Sequence, residues 1–167
     1  MNDLSHVRAD GSAHMVDVTD KAVTSREASA RAVLRTRPDV VARIASGDLP
    51  KGEALATARI AGIMGAKRTP DLVPLCHPLP LSGVEIDLEP GEDRVEITAR
   101  VRTKGVTGVE MEALTAATVA ALTLYDMIKA VDHLATIEQV QVLTKSGGRS
   151  GDWSRDRASE PAEEEQS

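Results

Sequence analysis

The stretch "VEIDLEPGEDRVEITARVRT", residues 84–103, decides the fold class. The turn "GED" at 91–93 separates two runs. The second places Val95, Ile97, Ala99 and Val101 on one face and Arg94, Glu96, Thr98, Arg100 and Arg102 on the other. A period of two with one apolar and one charged face is the pattern of a half-exposed antiparallel hairpin.

Working outward, "GVTGVEMEALTAATVAALTLYDMIKAV" predicts a long helix over about 110–131, and "IEQVQVLTK" a closing strand at 137–145. Upstream, apolar Leu55, Ile60, Ile63 and Met64 predict a helix over 53–67 that stops at Thr69-Pro70. "PDVVARIASG" predicts a shorter helix, with Pro38 at its start and Gly47 past its end. In "TSREASARAVLRTR", Thr24 and Glu27 have capping-box spacing and predict a helix to about Arg35, while "MVDVT" at 15–19 reads as a short strand. The resulting order is an α+β chain on the split β-α-β-β-α-β plan, with an antiparallel sheet and additional helices. Residues 1–13 read as a flexible arm, 14–153 as a single catalytic domain and 154–167 as a disordered acidic tail.

The chain has 167 residues, no Phe, one Trp and one Tyr, so its core must be aliphatic and alanine-rich. A sheet without aromatics lacks the stacking platforms on which RNA-binding modules of this shape rely, which argues against nucleic acid as partner. The net charge is −6, but half of it lies in the tail, where five acids outnumber two arginines. A near-balanced body is compatible with a local basic pocket. The single cysteine, Cys76, excludes an intramolecular disulfide. The polar start "MNDLSHVRADGSAH" lacks the apolar core of a signal peptide, and the longest uncharged apolar run, at 113–125, falls short of the roughly 20 residues of a membrane span. The chain therefore reads as soluble and cytoplasmic, with no membrane partner.

Chemistry concentrates in "DLVPLCHPLPL", where Pro74, Pro78 and Pro80 free the backbone from ladder pairing. An extended backbone would send Cys76 and His77 to opposite faces, which speaks against a shared metal or a nucleophile–base pair. Cys76 reads as a small buried hydrophobe, and His77 as an imidazole presented to a cavity by a stiff strand. "GAKRT" at 65–69 fails as a phosphate loop, because it lacks the first glycine and ends a helix. "KSGGRSG" at 145–151 exposes consecutive N–H groups beside Lys145 and Arg149, which suits an anion and equally suits a flexible loop. On the long helix, Glu110 and Glu112 begin the first turn, where carboxylates are favoured. Asp126 and Lys129 near its end read either as a solvated ion pair or as pocket residues. A lysine next to such an apolar stretch is expected to have a lowered pKa. Glu112 and Asp126 are separated by roughly 21 Å at ~1.5 Å per residue, so one pocket holds both only when it combines two subunits. No HExxH or CxxC accompanies His77, and no metal site is expected.

"MVDVT", "KGEALATARIAGIMGAKRTPDLVPLCHPLPL", "TGVEMEALTAATVAALTLYDMIKAV" and "KSGGRSGD" together resemble the cyclic pyranopterin monophosphate synthase family of molybdenum cofactor biosynthesis, over about residues 14–152. The resemblance implies a ferredoxin-like fold. It further implies conversion of 3′,8-cyclo-7,8-dihydroguanosine 5′-triphosphate to cyclic pyranopterin monophosphate with release of pyrophosphate. It implies a homohexamer, a trimer of dimers with interface sites, linked functionally to the upstream radical GTP cyclase and the downstream molybdopterin synthase. Matched residue by residue, Asp126, Lys129 and Lys51 fall on catalytic positions. Leu75, Cys76, His77, Met111 and Glu112 fall on substrate-binding positions and Lys67 on an active-site lysine; Glu110, Lys145 and Arg149 are added to the substrate-binding set from the charge and backbone of their own segments. The resemblance implies no required cofactor and leaves room for a divalent cation carried in with the triphosphate. A non-catalytic nucleotide sensor is the rival that turnover would separate, since fold alone does not select function.

Overall fold

The computed structural model describes residues 10–149 and 151–156. The arm and tail placed at 1–13 and 154–167 therefore lie mostly outside the described residues. Ser154, assigned to the tail from sequence, pairs with Thr144.

The elements run β1 (Thr24–Arg35), α1 (Pro38–Ser46), α2 (Ala54–Lys67), α3 (Thr69–Leu72), β2 (Leu81–Pro90), β3 (Arg94–Gly105), α4 (Glu110–Ile128), β4 (Thr136–Ser146) and β5 (Trp153–Ser154). The five strands form one sheet in the order β2-β3-β1-β4-β5, every pairing antiparallel. With β1 and β4 on one side and β3 and β2 on the other, this is the ferredoxin-like α+β arrangement expected from sequence.

The plan is right, but its first strand is not the expected one. Residues 24–35, read as a helix from the Thr24–Glu27 spacing, are the central strand β1, and residues 15–19, read as a strand, are irregular. Ala28, Ala30, Ala32 and Leu34 are fully buried along one face of β1. The period of two was present in the sequence, but alanine is also the best helix former, so its propensity masked the alternation. The reason for alanine is the neighbour: α4 packs on β1, β3 and β4, and its Ala113, Ala116, Ala117, Ala120 and Ala121 are all fully buried between the sheet and α2. Small side chains on both surfaces bring the helix close to the sheet without Phe or Trp in the core.

α2 packs against α4 and β2 with similar intimacy. A Cβ added at Gly62 would come within 2.9 Å of the Ala116 carbonyl oxygen and 2.2 Å of Ile86 Cδ1. Replacing a helical glycine ordinarily gains up to ~1 kcal/mol. Here the backbone oxygen cannot retreat, and overpacking wins. Gly62→Val is expected to cost about 1–3 kcal/mol, seen as a lower denaturation midpoint in urea; an unchanged midpoint would mean that the two helices separate freely.

The other sheet face is polar. Arg100 pairs with Asp87 at 2.7 Å, Arg35 with Glu138 at 2.9 Å, and Arg102 with Glu85. These pairs are exposed and contribute little individually. Below the sheet, buried Asp132 accepts from Thr36 Oγ1 at 2.7 Å and from the Leu134 N–H at 3.0 Å, tying the α4–β4 connection to the end of β1. The 19-residue α4 is long and apolar enough to cross a membrane, but half of its apolar window is buried within the fold. It is the core helix.

Candidate active site

α3 ends in a turn, closed by the Cys76 N–H donating to the Val73 carbonyl at 3.1 Å, that delivers Leu75, Cys76 and His77 to the N-terminal end of α4. There they meet Met111 and Glu112 around a cavity of about 230 Å³. Both Cys76 and His77 line it. Residues 73–75 before them turn instead of extending. Cys76 is half-buried. Burial, and then the nearby Glu112 carboxylate, push its thiol up, away from the reactive thiolate.

The rest of the wall comes from Val16, Val18 and Lys21 on the irregular N-terminal segment and from Thr107 and Gly108 before α4. His77 holds that segment: its Nε2 lies 2.9 Å from the Val16 carbonyl oxygen. A carbonyl only accepts, so Nε2 donates and a neutral ring keeps its Nδ1 lone pair for another partner.

Glu112 is only 3% exposed although it lines the cavity. Burial pushes its pKa above the ordinary glutamate value, partly opposed by a hydrogen bond from its own backbone N–H, and the neighbouring Glu110 carboxylate adds a smaller push upward. A carboxyl raised in the folded state binds its proton more tightly there than in the unfolded chain. Stability therefore falls as pH rises from the ordinary glutamate value through the raised one. Glu112→Gln is expected to be more stable than the parent chain at neutral pH, with the difference fading in acid, where both side chains are neutral. Thermal melts at the two pH values check this, and a less stable Gln variant at neutral pH would show that the carboxylate supports the fold.

A second cavity of about 900 Å³ adjoins the first, sharing Lys21, Thr107 and Gly108 and adding Arg26 and Arg149. The loop after β4 reaches it through Gly147 and Gly148, at φ +84° and +76°. A Cβ on Gly147 would lie 2.2 Å from the Ser25 carbonyl oxygen, so only glycine lets the loop rest on the start of β1. That contact sets Arg149 near Arg26 and Lys21. The cluster gives the anion reading of this loop its geometry. Lys145 instead lies 3.2 Å from Glu110 in an ion pair.

The remaining acid and two of the lysines are elsewhere. At the far end of α4, Lys51 Nζ donates to Asp126 Oδ2 at 2.7 Å and to the Asp126 carbonyl at 2.9 Å, and Lys129 Nζ lies 2.7 Å from Oδ1. All three side chains are about half exposed. Hydrogen bonds from Lys129 and Lys51 lower the Asp126 pKa to about 2. Lys129 is pushed up, chiefly by its hydrogen bond to Asp126, which corrects the expectation of a lowered lysine. The apolar run stops before Lys129, whose ammonium stands in solvent beside a carboxylate. Lys67 closes α2 and lies exposed.

The model of the MoaC family matches residues 15–148. A cyclic pyranopterin monophosphate synthase of Corynebacterium efficiens is 66% identical over 154 residues, covering 92% of this chain and 99% of the relative. Cyclic pyranopterin monophosphate synthase 2 of Mycobacterium tuberculosis strain H37Rv is 62% identical over 153 residues, 92% of each. The synthase of Streptomyces coelicolor is 60% identical over 152 residues, 91% of this chain and 89% of the relative. The chain belongs to the MoaC family.

In this MoaC-family chain, the fold gathers Leu75, Cys76, His77, Met111 and Glu112 on one cavity and leaves Asp126, Lys129 and Lys51 at the other end of the same helix. Sequence reading missed Lys21 and Arg26. Lys21 follows the "MVDVT" motif, but a lone lysine after an expected strand carries no signal until the chain folds back over His77. Arg26 lay within the segment read as a helix, where nothing marked it as part of a site. Among the described residues no group of three His, Cys, Asp or Glu could hold a metal ion.

Proposed function

We propose that this chain is a cyclic pyranopterin monophosphate synthase, converting 3′,8-cyclo-7,8-dihydroguanosine 5′-triphosphate to cyclic pyranopterin monophosphate and pyrophosphate. The observation that carries the reading is the junction of two cavities. One is small and lined by His77, Glu112 and apolar side chains; the other is larger and lined by Lys21, Arg26 and Arg149. A heterocycle with its ribose suits the first, and a triphosphate the second.

The chemistry follows from these parts. A ribose hydroxyl attacks the α-phosphorus, the bond to the bridging oxygen breaks, and pyrophosphate departs carrying the negative charge. Fixed guanidinium and ammonium groups stabilise that charge. His77 and Glu112 orient the base and ribose portions, with Leu75, Cys76 and Met111 enclosing them and Glu110 holding Lys145 in place. Opening and rebuilding the ring needs proton transfers, which are assigned to Asp126, Lys129 and Lys51. Lys67, Lys145 and Arg149 serve the phosphates. No resident cofactor takes part; a divalent cation would enter as the triphosphate's counter-ion.

These groups cannot meet within one chain, because α4 separates them by roughly 21 Å at ~1.5 Å per residue. The working enzyme is therefore an oligomer with sites between copies, a homohexamer arranged as a trimer of dimers. It acts in the cytoplasm as one catalytic domain, between the radical cyclase that supplies its substrate and the molybdopterin synthase that consumes its product.

Supplying the purified chain with the cyclised triphosphate tests the reading. Pyrophosphate and a pterin product are expected in equal amounts. Binding without release would make the chain a nucleotide sensor instead.

A further inference from the structure

Lys51 lies on the connection between α1 and α2, far in sequence from the Asp126 that it reaches, and it donates there twice, to Oδ2 at 2.7 Å and to the carbonyl oxygen at 2.9 Å. An exposed lysine ordinarily samples many rotamers. Holding two acceptors of one residue at once calls for a fixed backbone beneath it.

That backbone is anchored on both sides. α1 ends at Gly47, and the next N–H, that of Asp48, donates to the Arg43 carbonyl at 3.0 Å while Arg43 Nε donates back to the Asp48 carbonyl at 2.9 Å. Leu49 is buried in the core, and Ala54, fully buried, opens α2. Between these anchors the chain makes one turn, closed by the Gly52 N–H donating to the Leu49 carbonyl at 2.9 Å. Pro50 supplies the fixed φ preferred at the second position of such a turn, and Lys51 stands at the third. Gly52 follows at φ +87°, and a Cβ built on it would meet nothing within 4 Å. Gly62 and Gly147 leave no room for a side chain, whereas Gly52 has room, so what distinguishes glycine at 52 is torsion alone.

We propose that Gly52 is the positioning residue of Lys51: its left-handed backbone aims the turn so that the lysine ammonium stands on Asp126 before substrate arrives. The inference rests on the reading in which Lys51, Asp126 and Lys129 move protons, and it names what holds that trio ready. A group already in place needs no ordering at the moment of reaction. The end of α4 supplies the second acceptor. The Asp126 carbonyl is among the last four of the helix, which α-helical pairing leaves open, and the last turn carries no basic residue of its own. Lys51 answers that negative helix end from outside.

Gly52→Ala and Gly52→Asn in the full chain test the proposal. Both side chains enter open space, and of the two only Asn tolerates a left-handed backbone. Alanine disfavours the aimed conformation by about 5–30-fold, and kcat for pyrophosphate release is expected to fall by that factor, with KM little changed and the circular dichroism intact. Gly52→Asn is expected to recover most of the loss. The second readout is the Asp126 carboxyl, followed by carbon NMR through an acid titration. With Lys51 drawn away in Gly52→Ala, its pKa is expected to rise from about 2 and to stay below the ordinary carboxylate value, because Lys129 still bonds to it. An unmoved Asp126 titration in Gly52→Ala, or an Asn variant as impaired as the Ala one, overturns the inference. A moved titration with unchanged kcat upholds the placement of Lys51 and removes the trio from proton transfer, so the two readings fail separately.

Discussion

Mixing Glu112→Gln and Asp126→Asn chains, each severely impaired alone, is expected to restore about a quarter of native turnover. Glu112 lines the cavity at the start of α4, and Asp126 lies in the lysine cluster at its other end. In a mixed dimer, one interface combines both altered ends and is dead. The other combines the intact Glu112 end of one chain with the intact Asp126 end of its partner and is native. Random exchange makes about half of the dimers mixed, with one native site of two in each. The measurement is pyrophosphate release after the two variants are unfolded and refolded together, set against each alone. Activity no higher than the average of the separate variants would mean that each chain builds its site from its own residues, which the length of α4 opposes.

Asp126→Asn alone is expected to lower kcat by roughly 10²–10⁴-fold, the range of a positioned acid or base, with a much smaller change in KM. The Asn side chain keeps the shape and removes the charge that holds two ammonium groups at 2.7 Å. With its pKa at about 2, Asp126 is ionised throughout the neutral range, too weak a base to act without its lysines. Its effect on Lys129 gives the variant a second signature. The carboxylate raises the Lys129 pKa, so its loss lets that pKa fall, and the alkaline limb of the pH–rate profile should move to lower pH. A full-rate Asn variant, or one with an unmoved alkaline limb, would show that the trio is a surface ion cluster. The same lowered Asp126 pKa contributes stability above the ordinary carboxylate value that is lost as pH falls toward about 2. Because the three side chains are half exposed, that contribution is small.

The hairpin of β2 and β3 was readable because Val95, Ile97, Ala99 and Val101 alternate with charged residues and all four are fully buried. α1 was readable from Pro38 and Gly47 and α2 from its stop at Thr69-Pro70, although the apolar Ile60 and Met64 that marked α2 are exposed and the helix is buried through Ala54, Ala58, Gly62, Gly65 and Ala66. β1 was not, because alanine serves a close-packed strand and a helix equally well, and only the presence of α4 selects between them. The candidate site residues at 75–77 and 111–112 were named through their likeness to a family, and the fold gathers them around one cavity. Lys21 and Arg26 escaped notice, since neither carries a local pattern.

What the sequence determined by itself was the class of fold, its aliphatic core and the separation of two acidic positions along one helix, because periodicity and helix rise act within a few residues. What only the tertiary structure decided was which strand lies at the centre, which face of residues 73–77 meets the cavity and which cations surround the second recess. Those depend on contacts between segments far apart in the chain, such as Val16 with His77 and Gly147 with Ser25. No local pattern of residues encodes such contacts; they exist only once the helices have closed over the sheet.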